Sequence, residues 1–154
     1  MKIKNLLEEW GITSLKLNAG FVEADFEPRD DDQDGAWKLY VELITRTATQ
    51  ALPADAGDEK TALESIHNVF GITRDIIKEH GRRGEAFTRI AIAVLNQWLR
   101  PFCTKWHRAD FASAENCTLF RTELSDLQSD LRKYTGVLAN LAGTEDVTDL
   151  GDPA

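Results

Sequence analysis

Apolar positions recur along most of this chain at spacings of three and four, the period that gives an α-helix one buried face. The densest run is Glu85–His107. There Phe87, Ile90, Ala91, Val94, Leu95, Trp98, Leu99, Phe102 and Trp106 cover so much of the circumference that neighbouring helices are expected to enclose it. Pro101 falls inside the run. It lacks a backbone donor and clashes with the preceding turn, which predicts a kink or a fresh start near Leu99–Phe102. Phe120, Leu124, Leu127, Leu131, Tyr134, Leu138 and Leu141 alternate four-three without a break. They predict a long last helix, capped by Asp110 or Ser113 and ended by Gly143.

Upstream, Trp37, Tyr40, Val41, Ile44, Ala48 and Ala51 mark a helix from Ala36 to Pro53. Asp58, or the capping-box sequence Thr61–Glu64, opens another that runs through Ile66, Val69, Phe70, Ile72, Ile76 and Ile77 to a stop at Gly81. Gly71 within it is expected to mark the close approach of a neighbouring backbone. At the start of the chain, Lys2–Trp10 reads as a short amphipathic helix ended by Gly11. Leu15, Leu17, Phe21, Val22, Ala24 and Phe26 then alternate with polar residues around Asn18-Ala19-Gly20, which predicts a β-hairpin, and Pro28–Gly35 reads as a loop. The fold class is therefore mainly α. The expected architecture is an antiparallel four-helix bundle over residues 1–142, with the small helix and hairpin at one end or side, followed by an acidic, flexible tail over 143–154.

Composition bounds the function more than the fold. At 154 residues, 42% hydrophobic and 29% charged, the chain is expected to be one soluble globular domain, and it has no apolar run of membrane-spanning length. Two cysteines build no disulfide framework, so a reducing cytoplasm is the expected location, and with three histidines they would close a zinc site only in an unusual geometry. No cofactor is expected: there is no phosphate-binding glycine loop, dinucleotide fingerprint, G-x-S-x-G or H-E-x-x-H. The net charge of −8 is concentrated in Asp25–Asp34 and Gly143–Ala154, which leaves the body near neutral and without a basic patch.

Three groups of residues carry candidate chemistry. On the Glu85–His107 helix, Arg89, Asn96, Arg100, Cys103 and His107 fall at offsets that form one polar stripe. Such a stripe faces water or pairs with carboxylates such as Glu42 or Glu123 across the bundle, or else it forms a site centred on Arg100 and His107. In the acidic run, Asp30, Asp32, Asp34 and Gly35 match the D-x-D-x-D-G opening of a calcium loop, although the twelfth position is Val41. The alternative there is a solvated acidic turn at a helix N-terminus. Trp37, Trp98 and Trp106 sit at helical spacings and are assigned to the core, while an exposed Trp10 or Trp106 would be a natural anchor for a partner.

The spacing of Arg100 and His107, R-x6-H on a helix, resembles the motif of HEPN domains, all-α bundles that often act as metal-independent ribonucleases and commonly as dimers. The resemblance implies that Arg100 clamps a phosphate and His107 moves a proton at a ribose 2′-hydroxyl, with Asn96 and Arg89 alongside. Pro101 stands where that family has a polar residue. The segment LNQWLRPFCTKWH also resembles short helical proteins of bacterial phage-defence and conflict loci. The functional expectation is a non-enzymatic accessory module that binds a protein partner. The alternatives are a HEPN-like ribonuclease or an inactive relative, which alone would bring in nucleic acid, and a calcium-binding helical protein; a homodimer is compatible with each.

Overall fold

The computed structural model describes residues 1–151 and is mainly helical. In chain order the helices are α1 (Ile3–Glu9), α2 (Ala19–Glu23), α3 (Asp30–Ile44), α4 (Glu59–His80), α5 (Glu85–Val94), α6 (Arg100–Trp106) and α7 (Ala114–Ala142). A π-helical segment, Leu95–Leu99, joins α5 to α6, and 3-10 turns cover Gly81–Gly84 and Thr148–Gly151. The arrangement is not one of four equivalent rods around Glu85–His107. Its hub is α3, which packs against α7, α4, α5 and the Gly81–Gly84 turn and buries Ala36, Leu39, Tyr40 and Leu43.

The acidic run explains where α3 begins. Pro28–Gly35 is not a loop throughout: the helix starts at Asp30, with Asp30, Asp31 and Asp32 in its first turn, where the exposed N–H groups favour negative charge. Asp32 is buried. One of its oxygens accepts from the Arg29 N–H at 3.0 Å and the other from the Phe87 N–H at 2.9 Å. The residue before α5 is Gly84, which has no side chain to offer, so Asp32 serves the N-termini of two helices at once. Gly35 lets them close up: a Cβ there would sit 2.8 Å from the Phe87 ring. At its other end α3 stops at Ile44 instead of reaching Pro53, and beyond it the Thr49 hydroxyl folds back to donate to the Leu43 carbonyl.

The segment after α3 is held by polar side chains of α7. Arg121 donates to the Pro53 carbonyl at 2.7 Å, Gln128 to those of Thr47 and Gln50 at 2.6 and 3.0 Å, and Arg132 to that of Thr49 at 2.7 Å. Backbone acceptors that an irregular segment would leave bare are thereby satisfied. Ser113 caps α7, accepting from the Asn116 N–H, and Gly143 ends it in a left-handed conformation at φ +74°.

The expected hairpin does not form. Among the described residues the only β pairing is an isolated bridge between Lys2 and Asp25. Asn18 acts as a helix cap and not as a turn residue: its side chain accepts from the N–H groups of Gly20 and Phe21 and starts α2. Leu15, Leu17, Phe21, Val22 and Phe26 still pack against the core. Gly71 is likewise not a contact point, since a Cβ there would meet nothing within 4 Å. The close approach is at Gly136, where a Cβ would lie 2.3 Å from the ring of Trp10. Where composition predicts a free acidic tail, residues 146–148 are bonded to the bundle. Tyr40 donates its hydroxyl to Asp146 at 3.0 Å and accepts from the Val147 N–H at 2.6 Å, and the buried Thr148 meets the Thr135 hydroxyl at 2.9 Å. Residues 152–154 of that stretch lie outside the described residues.

Candidate functional site

The π segment decides which of the polar stripe residues share a surface. Pro101 has no N–H to give the Gln97 carbonyl, and the turn ahead of it widens, with the Arg100 N–H bonding to the Leu95 carbonyl five residues back. One surplus residue is absorbed there, so α6 is turned by about 100° relative to a continuous α-helix. Arg89 therefore leaves the stripe. It pairs with Glu85 at 2.8 Å, and its guanidinium lies over the Phe21 ring at 5.4 Å. Downstream of the π segment the seven-residue offset holds, and Arg100 and His107 line the same cleft between α4 and α6.

Arg100 is fixed in that cleft. Its Nε donates to Asn96 Oδ1 at 3.1 Å and its guanidinium covers the Phe70 ring at 5.1 Å. It does not pair with either expected carboxylate: Glu42 holds Arg46 at 2.8 Å, while Glu123 takes Lys105 and, at 2.6 Å, the Trp106 indole N–H. Among the described residues no carboxylate forms an ion pair with Arg74, Arg100 or Arg108. His107 is exposed, its Nδ1 within 3.1 Å of the Thr104 carbonyl.

The cleft has two chambers. The smaller, about 240 Å³, is lined by His67 and Arg74 from α4 and by Arg100, Thr104 and His107 from the α6 side, over Phe70 and Cys103. The larger, about 730 Å³, shares His67, Cys103 and His107 and extends over Leu63, Ala109 and Phe111, with Asp58, Lys60, Glu64, Arg108 and Asp110 at its rim. Residues 58–68 face 103–111 in one chamber and 67–74 face 100–107 in the other, so the two helices run antiparallel along it. The small chamber gathers two imidazoles and two guanidiniums and no carboxylate. Cys103 is a neutral thiol between them, its pKa pushed up to about 11 by burial, against the pull of the Arg100 guanidinium. Burial thus disfavours the thiolate, the form that would act as a nucleophile.

His67 and Arg74 escaped the reading of the sequence. They stand seven residues apart on one face of α4, the same spacing as Arg100 and His107 in reverse order, and only the pairing of the two helices shows that the two sets meet. The other sequence candidates go elsewhere. Asp30, Asp32 and Asp34 belong to a helix with Asp32 turned inward, and among the described residues no group of three His, Cys, Asp or Glu is placed to hold a metal ion. Neither tryptophan proposed as an anchor is free. Trp106 is buried in an aromatic cluster with Phe102, Phe111 and Phe120, and Trp10 is seated on Gly136. Trp37, expected in the core, is 49% exposed. No family model, no curated protein and no solved structure matches this chain.

Proposed function

We propose that this chain is a helical module that works by binding a protein partner, and that α3 and α4 supply the surface. The observation that supports this reading is Trp37. It is half exposed beside Val41, itself 38% exposed, and with Ile72 and Ile76 these residues line an apolar groove of about 430 Å³. The groove spans one turn of each helix, the footprint of a single large side chain from an approaching helix. Two rim charges are already matched, Lys38 by Glu79 and Glu42 by Arg46, whereas Asp75 has no ion pair among the described residues. The occupant is thus an amphipathic helix of another protein, presenting one large apolar residue and a basic residue within a turn of it. The likeness of LNQWLRPFCTKWH to proteins of bacterial defence loci points to a component of such a system as that partner.

The test compares capture of a partner by the unaltered chain with capture by Trp37→Ala and Val41→Glu. Both substitutions should abolish it at unchanged melting temperature, while Ile92→Ala, an exposed apolar residue on α5, should not. Capture indifferent to Trp37→Ala overturns the reading.

A second reading, a HEPN-like ribonuclease, is favoured by one observation: Arg100 and His107 open into the same cleft. It requires RNA cleavage without added metal that disappears in Arg100→Ala and His107→Ala without loss of stability. An absence of cleavage in the unaltered chain removes it.

A further inference from the structure

We infer that Lys38 is a latch with two positions, set by the charge on His80. A neutral imidazole leaves the Trp37 groove open, and a protonated one drives the lysine across it. The inference rests on that groove as the binding surface and adds how the surface is regulated.

The contacts of His80 fix its chemical state. It ends α4 with a side chain only 7% exposed, its Nδ1 3.0 Å from Asp31 Oδ1 and its Nε2 3.2 Å from Lys38 Nζ. An ammonium group donates and never accepts, so Nε2 offers its lone pair to Lys38. The ring proton is then on Nδ1 and is donated to the Asp31 carboxylate. Both nitrogens are satisfied in the neutral ring, and in that tautomer alone. A second proton has only Nε2 to go to, where it would face another donor of like charge at 3.2 Å. Asp31 favours that proton, because the Nδ1 contact becomes charge-assisted, and Lys38 opposes it. Of the other charges near the ring, Asp34 stands between Asp31 and Lys38 on α3, and Glu79 precedes it on α4. The Gly81–Gly84 turn beyond carries Arg82 and Arg83, which make no ion pair among the described residues. Imidazoles change charge between about pH 5 and 8, so the conflict arises close to neutrality.

Lys38 has a second place to go. It lines the groove beside Trp37, whereas Glu79 and His80 are not among the lining residues, and its ammonium is held out of the groove by Glu79 at 2.6 Å and by His80. Asp75, which does line the groove, stands one turn before Glu79 on the same face of α4 and makes no ion pair among the described residues. Glu79 keeps its charge throughout, since its bond with Lys38 holds its pKa below the ordinary carboxylate value. An ammonium repelled by His80 therefore has two carboxylates within a turn, and Asp75 is the one farther from the new positive charge. The move lays the lysine side chain over the apolar wall formed by Trp37, Val41 and Ile72. It also takes up the acid that the groove offers to a basic residue of the partner.

Proton–nitrogen NMR of the whole chain tests this with no partner present, by following the His80 ring and the Trp37 indole N–H between about pH 8 and 5.5. In the unaltered chain the two signals should shift with one midpoint. His80→Gln keeps a donor for Asp31 and an acceptor for Lys38 but takes up no proton, so the Trp37 shift should disappear. Asp75 is exposed and unpaired, so Asp75→Asn should melt with the unaltered chain; in it His80 should still titrate while most of the Trp37 shift is lost. A Trp37 shift that persists in His80→Gln overturns the proposal, as does one unchanged in Asp75→Asn. So does a His80 ring that stays neutral throughout the range, or a Trp37 signal that ignores its titration. These outcomes are distinct from that of the capture test. Capture indifferent to Trp37→Ala sinks the binding reading and leaves the coupling intact, whereas Trp37-dependent capture without the coupling sinks the latch alone.

Discussion

Two glycines inside helices should respond in opposite directions to the same substitution. Gly136 in α7 and Gly71 in α4 each weaken their helix, and alanine at either should recover about 1 kcal/mol of helix propensity. At Gly71 nothing lies within 4 Å of the added methyl, so Gly71→Ala should keep that gain and raise the melting temperature by about 2–4 °C for a chain of this size. At Gly136 the methyl would sit 2.3, 2.4 and 2.5 Å from three atoms of the Trp10 indole. A rigid ring cannot yield at one atom, so the whole indole must shift by more than 1 Å and give up part of its packing. Overpacking of this kind costs about 1–3 kcal/mol, and lost burial of the large ring adds to it. Against the propensity gain, the net for Gly136→Ala is a destabilisation of about 2 kcal/mol, a fall of about 4–8 °C. Thermal and urea melts of both variants read the contrast directly. Adding Gly136→Ala to a Trp10→Ala background should turn stabilising, because the obstacle is gone. Should Gly136→Ala behave like Gly71→Ala, Trp10 does not rest on α7 and the docking of α1 described above is wrong.

Other consequences can be measured separately. Asp32→Ala strips the acceptor from two backbone donors, Arg29 N–H and Phe87 N–H, and should cost about 3 kcal/mol in urea unfolding; Asp32→Asn, which keeps one carbonyl oxygen, should recover about half. Asp58 and Glu79 have pKa values held below the ordinary carboxylate value, the first mainly by the Thr61 hydroxyl and the second by Lys38. Their ionised forms therefore favour the fold above the ordinary carboxylate range, and that contribution is lost as pH falls through the lowered values. Melting temperatures should drop below about pH 4, and less of the drop should remain in Thr61→Ala. Cys103, with its pKa raised from 9.0 to about 11, has about a hundredfold less thiolate at pH 8 than an ordinary thiol. Its alkylation by iodoacetamide should be far slower in the folded protein than in urea, and equal rates would show that α6 does not bury it.

Periodicity revealed the helices because it reports which face is buried, and it placed α4 and α7 within a few residues of their observed ends. It failed where one local pattern serves two structures. Asn18-Ala19-Gly20 suits a hairpin turn and a helix start equally, and Asn18 caps α2 because the chain beyond it packs on the core instead of pairing as strands. The acids of Asp30–Asp34 suit a calcium loop and a first helical turn; the need for an acceptor at the start of α5 selects the second. Trp37 lies on the apolar side of α3 by spacing, but at the border of the packed face, and spacing does not say where neighbouring helices end. Of the candidate cleft, Arg100 and His107 were readable because no irregularity separates them. Arg89 was misplaced because no composition rule announces a π turn ahead of Pro101, and His67 and Arg74 depend on a tertiary pairing that one helix cannot encode.

The widened turn at Leu95–Leu99 makes this helix one residue longer than the shortest path between its ends. Loss of a single residue there would keep the orientation of the Arg100–Trp106 end, at the cost of setting the Pro101 ring against the carbonyl four residues back. The same deletion in α5 would swing that end round by about a quarter turn and pull Phe102 and Trp106 from their aromatic neighbours. The five residues ahead of Pro101 are thus the slack in the molecule, the one stretch of this helix where length can change without moving what it carries.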